Sequence, residues 1–410
     1  MSISNISAVC FALFVFAGYF KAADSLRFMP VDLTLLFATG TAVFCGLEVW
    51  RRRALDTGMV PVLAVFLVLA VGFHWPEELT SYATQKELRL FSLTALSALA
   101  PFVILRTAPR RQAFAYTVCA LGMLMAGVAV IEASWHGPSP RATVFNANPI
   151  LLARVSGFAI LVLCLLYWQG RLRVWLFAPA AGMASIGLLA SGTKAPLLGL
   201  LLTVFAITPF FLMQSANRTR IWGTLLVGCA GLAATLAFLA SAKFYFARRI
   251  AGALTGARGF TSDTRLTLWQ LTLDMIPMHP LGLGWGRFSE WIRVFENGQL
   301  MRHPHNMALE IFLEAGWLAG AAFLALVAAS LYRGLRAAYQ DTARIGGSAS
   351  PDLLLVLAGL MYWMVCAAFS GDVNDNRPFW ALLGMALAAL GSRRTAKADS
   401  VDGRVEARDG

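Results

Sequence analysis

The stretch RHPHNMALEIFLEAGWLAGAAFLALVAASL, residues 302–331, joins a polar mouth to a long apolar helix and decides the class of fold. Pro304 restrains the approach, Asn306 is placed to cap the first turn, and Leu309, Ile311, Phe312 and Leu313 begin a hydrophobic run lasting to about Leu331. Read as one helix over 306–331, the run is long enough to cross a hydrocarbon layer, which takes ~20 apolar residues. His303 and His305 then lie just before a helix N-terminus, at a boundary between water and lipid.

The same pattern recurs along the chain. Of 410 residues, 58% are hydrophobic and 14% charged, with a mean hydropathy of +0.65, which describes an integral membrane protein rather than a soluble enzyme. Lipid leaves no backbone group unsatisfied, so only helices or a closed barrel can span it, and runs without a two-residue period argue for helices. Apolar runs over roughly 6–21, 31–49, 59–74, 87–105, 113–133, 149–168, 172–190, 195–213, 220–240, 306–331, 351–370 and 376–391 predict an all-α polytopic protein of about twelve transmembrane helices. The chain divides accordingly into helices over 1–240, one large, partly helical loop over 241–305, further helices over 306–391 and a polar, disordered tail over 392–410. The first run has no basic segment before it and no cleavage site after it, so it reads as a retained helix. All six cysteines fall inside expected spans, which suits packing rather than a disulfide framework.

Charge sets the orientation. Arginines crowd alternate short connections at 51–53, 106–111, 171–173, 218–220 and 333–344 and return in the tail, which places those connections and both termini in the cytoplasm. That bias accounts for most of the net charge of +12, so no nucleic-acid partner is needed. His74, His136, His279, His303 and His305 all fall on the opposite side, as do cations that the bias does not explain: Arg141, Arg154, Lys194, Lys243, Arg248, Arg249, Arg258, Arg265, Arg287, Arg293 and Arg302. A basic concavity facing outward calls for an anionic ligand, though Arg248, Arg249 and Arg258 read rather as solvated or headgroup-facing charge, and Arg154, one turn inside a span, belongs in a protein cavity rather than in lipid. Arg89 is a similar case, with snorkelling or pairing with Glu87 as the alternatives.

The large loop has its own elements. Thr261, Ser262 and Asp263 can cap a helix in which Leu266, Trp269, Gln270 and Leu273 recur at helical spacing. Pro277 and Pro280 end it, and PLGLGWGRF, residues 280–288, follows as a tight re-entrant turn, since it lacks the Lys-Ser/Thr of a phosphate-binding loop. No Asp-x-Asp lies near His305, and His303 with His305 lacks the further ligands of a tetrahedral metal site. Glu310 and Glu314, inside the apolar run, fit packing or pairing within the bundle as well as they fit chemistry.

His305, Asn306, Leu309 and Gly316 match a His, Asn/Ser/Gln, later Leu and later Gly pattern, and Arg265-x-x-x-Trp269 followed by HPLGLGWGRF precedes it. SGTKAP over 191–196, with Lys194 where relatives often carry Arg, NANPILLAR over 146–154, and the spacing of Arg287 to Gly298 complete the set. In these motifs the chain resembles the O-antigen ligase and O-antigen polymerase superfamily of bacterial envelope glycosyltransferases, and within it the ligases. The resemblance implies a donor glycan on undecaprenyl pyrophosphate, a lipid A-core acceptor, no cofactor and no metal, and an active site on the periplasmic side of a Gram-negative inner membrane. It implies His305 as general base, with Arg265 and Lys194 stabilising pyrophosphate. Arg154, Arg141, Ser191, Thr193, Arg287, His303 and Asn306 are then substrate-binding residues, and transfer inverts the anomeric centre in one displacement. The alternatives are a polymerase or a protein O-oligosaccharyltransferase of the same superfamily, or a transporter of an anionic lipid-linked glycan.

Overall fold

A computed structural model of the protein describes residues 3–20, 31–53, 56–72, 81–136, 142–144, 148–213, 218–241, 263–296, 298–343 and 350–406. Arg141, Lys243, Arg248, Arg249, Arg258, Thr261, Ser262 and His74 lie outside the described residues. The protein is an all-α membrane protein, and each apolar run of the sequence is met by a helix. Among the described residues, seven helices are long and apolar enough to cross a membrane: Leu33–Arg52, Tyr82–Ile104, Ala108–Glu132, Pro149–Trp168, Lys194–Leu212, Trp317–Ala343 and Pro351–Phe369. Asn5–Phe20, Thr57–Gly72 and Val174–Ala190 are shorter apolar helices. Side-chain caps start them where the sequence offers Asp, Asn or Ser: Asp32 accepts from Thr34, Asn148 from Ile150 and Ser81 from Thr84.

Pro149–Trp168 is buried along almost its whole length and forms the centre of the bundle, with Pro351–Phe369 and the start of Arg377–Glu406 beside it. Large apolar side chains on the outer helices, such as Leu35, Leu47, Leu67, Phe205 and Leu226, face away from the protein, as lipid-facing surfaces must. At one end of the bundle the arginine-rich connections are ion-paired: Arg52 and Arg110 share Glu48, and Arg393 meets Asp341. The histidine loop is at the other end.

Two of the differences from the hydropathy reading alter the architecture. Arg377–Glu406 continues through Ser392, where the sequence suggests a disordered tail. The run over 306–331 is two helices, Met307–Ala315 and Trp317–Ala343, broken at Gly316, whose φ is 88°. The glycine turn closes that break. Leu283 and Gly284 donate their N–H groups to the carbonyls of Leu313 and Glu314, and Trp317 N–H donates to Pro280, each at 2.9 Å. Backbone groups that a broken helix exposes are thus satisfied inside the protein. The fit requires glycine: at Gly282, with φ of 90°, a Cβ would stand 2.4 Å from the Glu314 carbonyl oxygen, and at Gly316 it would stand 2.6 Å from the Pro280 carbonyl oxygen. Gly282→Ala or Gly316→Ala is expected to destabilise the protein by about 2–4 kcal/mol, from clash plus left-handed strain. Thermal unfolding in detergent measures it, and a melting temperature equal to that of the wild type would show that the turn relaxes freely.

Candidate functional site

The histidine loop is held from both sides. Asn306 adopts an extended backbone and accepts from Leu309 N–H at 3.1 Å to start Met307–Ala315. Pro304 has a fixed φ, so the reversal between the two falls on His305, which takes a left-handed φ of 56°. A non-glycine residue in that region costs of order 1–3 kcal/mol and is held there by its surroundings. Trp269, on the Asp263–Met275 helix, donates its indole N–H to Pro304 O at 2.9 Å and packs its ring against Phe369. The helix expected in the large loop is present, and its Trp269 anchors the histidines.

Two arginines from distant helices meet at the C-terminal end of Pro351–Phe369. Arg265 donates to Phe369 O at 2.8 Å, and Arg154 donates to Cys366 O at 3.0 Å and Ser370 O at 2.6 Å. A helix C-terminus exposes carbonyls and carries partial negative charge, so it holds cations firmly in a buried place. Tyr362 fixes the helix of Arg154 by donating to its carbonyl at 2.8 Å, and Trp363 lies under the guanidinium. Arg154 therefore faces protein, not lipid, as its position inside a span requires.

The connection after that helix, SGDVNDN over 370–376, bends at Gly371, whose φ is 77°. Asp372 accepts the N–H groups of Asn374 at 2.9 Å and Asp375 at 2.7 Å, and Asn376 donates to Asp372 O at 2.7 Å. Asp372 contributes to the electrostatics of both histidines. The Asp375 side chain keeps solvent-accessible surface while neighbouring protein crowds its carboxyl. Burial, reinforced by Asp372 and opposed by Arg154 and Arg377, pushes its carboxyl up to about 6.

His303 and His305 stack edge to face, with ring centroids 4.3 Å apart. Burial pulls both below the ordinary imidazole value: His303 to about 4, where Asp372 opposes and Lys86 and Arg265 assist, and His305 to about 3, assisted by His303 and Arg265. Both rings are neutral at pH 7. Both nitrogens of His303 and Nδ1 of His305 have no hydrogen-bond partner among the described residues, and neither does Arg154 Nε. Buried polar atoms without partners are uncommon in folded proteins, so these are open to a ligand or to ordered water.

The depressed histidines also link stability to pH. The unfolded chain takes up protons on these residues from about pH 6.5 downward, while the folded chain resists until pH 4 to 3, so the stabilisation is complete above 6.5 and fades as pH falls through that window. The melting temperature of the ligand-free protein is expected to fall from pH 7 to pH 4, and His303→Gln with His305→Gln is expected to flatten the fall. An equal slope in the double variant would assign it to the carboxylates.

Of the residues singled out from sequence, His303, His305, Arg265 and Arg154 are brought together. Asn306 is engaged as a helix cap. Ser191 is fully buried and spent on its own turn, donating to Leu188 O at 2.7 Å and accepting from Thr193 N–H at 3.2 Å. Thr193 is the N-cap residue of Lys194–Leu212 and Lys194 its first helical residue; Ala142, next to Arg141, donates to Ala190 O just before this turn. Arg287 precedes the short helix Phe288–Trp291 and stays partly exposed. Sequence reasoning passed over Asp372, Asp375 and Lys86. The first two sit in a connection that hydropathy treats as a gap between spans. Lys86 was signalled indirectly, because two carboxylates inside an apolar run demand a cation somewhere.

A family model described as O-antigen ligase matches residues 179–324, which include the 191–196 turn, Arg265, the glycine turn and the histidine loop. The chain is 25% identical over 332 residues to an O-antigen ligase of Pseudomonas aeruginosa strain PAO1, an alignment that covers 79% of this chain and 74% of that one.

Proposed function

Because the chain belongs to the O-antigen ligase superfamily, we propose that it moves O-antigen polysaccharide from undecaprenyl pyrophosphate to a sugar hydroxyl of lipid A-core, at the periplasmic face of the inner membrane. The observation that carries this reading is the convergence of Arg265 and Arg154 on one helix end beside two neutral histidines with unpartnered nitrogens.

A lipid-linked pyrophosphate is already a good leaving group, so transfer needs a base for the hydroxyl proton and cations for the departing charge. His305 takes the proton from the acceptor hydroxyl. The hydroxyl oxygen attacks the anomeric carbon, and the bond from that carbon to the pyrophosphate oxygen breaks with its electron pair, inverting the centre. Arg265 and Arg154 stabilise the pyrophosphate that leaves, and Lys194 adds a further positive charge. His303 packs on His305 and, with Thr193 and Arg287, binds the donor and acceptor, a role that the sequence motifs extend to Arg141. The preformed geometry suits this work, because the cations do not have to reorganise as charge develops. A neutral imidazole is a weak base in an apo site; a bound pyrophosphate beside it raises its proton affinity when catalysis needs it.

The test uses purified full-length protein, a synthetic polyprenyl-pyrophosphate glycan and lipid A-core, in EDTA and without nucleotide, with product followed by gel shift. Ligated lipid A-core supports the reading. Lengthened donor without ligation would make the chain a polymerase, and binding of donor with no glycan transfer in any divalent metal would favour a carrier.

A further inference from the structure

Lys86 is fully buried, as are Glu310 and Glu314, and its ammonium lies 2.5 Å from Glu310 Oε1 and 2.5 Å from Glu314 Oε2. The two carboxylates are four residues apart and so share one face of Met307–Ala315, the helix that the histidine loop opens into. Gly286 in the glycine turn donates its N–H to Glu314 Oε2 at 3.0 Å, and the Lys86 ammonium lies over the Trp285 ring. On its backbone side, Lys86 O accepts from Asn374 Nδ2 at 3.0 Å, while Asn374 Oδ1 accepts the Thr94 hydroxyl at 2.7 Å. Thr94 ends a π-helical turn, Leu90–Thr94, that widens the helix at this level.

One residue therefore touches the histidine helix, the glycine turn and the connection that carries Asp372 and Asp375. A buried charge cluster is a poor source of stability, because desolvation offsets much of the attraction and apolar groups of similar volume often do as well. Its presence beside a catalytic loop calls for a reason other than stability.

We propose that Lys86 is a positioning residue, which through Glu310, Glu314 and Asn374 holds the histidine turn and the acidic 370–376 connection at a fixed separation. Lys86 acts through His305 and Asp372 and does not itself touch substrate. The proposal rests on the reading of His305 as the base. Its consequence is kinetic: reacting groups displaced by about 1 Å can lose on the order of 100-fold in rate with binding intact.

The test is a neutral triad, Lys86→Met with Glu310→Gln and Glu314→Gln, in the full-length protein assayed with the same synthetic donor and lipid A-core. Removing all three charges together leaves no unpaired ion, so the protein is expected to melt near the wild type. A kcat at least about tenfold lower, with donor KM within about threefold, is the expected result. Wild-type kcat in the folded triple variant overturns the proposal. If that variant does not fold, Glu314→Gln alone decides: it keeps the Lys86 contact with Glu310 and an amide oxygen for Gly286, and is expected to lose about three- to tenfold in kcat at unchanged KM. Full kcat there overturns the proposal equally. The underlying reading fails in a different way, namely if His305→Asn transfers glycan at the wild-type rate.

Discussion

Replacing His305 is expected to lower transfer by about 10²–10⁴-fold while donor binding and melting temperature stay close to wild type, the span that loss of a general base covers. The backbone dictates the choice of variant. His305 has a left-handed φ of 56°, a region that asparagine tolerates better than alanine, so His305→Asn removes the base with less strain than His305→Ala. Among the described residues, none depends on the ring for a hydrogen bond: Trp269 holds Pro304 and Asn306 caps the helix through other atoms. His303→Asn serves as the control for which imidazole acts. The rings touch, and only the kinetics of the two single variants separates them. A larger loss at His303 than at His305 would exchange their roles, and equal, small losses would remove histidine from the chemistry.

The second large effect is expected at Arg265. Arg265→Ala is expected to lower kcat by about 10²–10³-fold, the range for loss of a preorganised group that stabilises charge in the transition state. Arg265→Lys is expected to recover little, because an ammonium keeps the charge but gives up the planar fork that can donate to Phe369 O and to a bound pyrophosphate at once. Arg154→Ala is a poorer probe: Arg154 is buried and supplies hydrogen bonds to two carbonyls, so its loss also disturbs the helix end. Measuring kcat and KM separately for Arg265→Ala distinguishes the cases. A rise in KM alone would make Arg265 a binding residue with no greater hold on the transition state than on the donor.

The sequence revealed the bundle more fully than the site. Hydropathy locates helices because lipid punishes every exposed backbone group, and caps such as Asn148 and Asn306 mark their starts within a residue. The glycine turn was legible as a turn, since Gly282, Gly284 and Gly286 all adopt positive φ. Its purpose was not. A glycine inside an apolar run, as at Gly316, reads as a tolerated helix residue until the partner 30 or so residues upstream is seen to supply the missing hydrogen bonds. The cationic part of the site was visible because Arg154 and Arg265 violate the charge asymmetry of membrane loops. Asp372 and Asp375 obey every local rule for a short polar connection, and Lys86 lies 224 residues before Glu310, so only three-dimensional proximity gives them meaning.

The break at Gly316 has a further consequence for how this chain can vary. Met307–Ala315 carries the histidine loop on a short, separately seated rod, and the glycine turn fixes that rod to the rest of the protein. Adding one residue inside the rod would rotate everything before it by about 100° and lift it by about 1.5 Å, carrying the histidines out of phase with Arg265. The same addition well beyond Trp317 would shift only the lipid-facing phase of the helix that follows. The discontinuity thus works as a phase insulator, letting a membrane helix adapt to its bilayer without retuning the angle at which the histidines meet their cations.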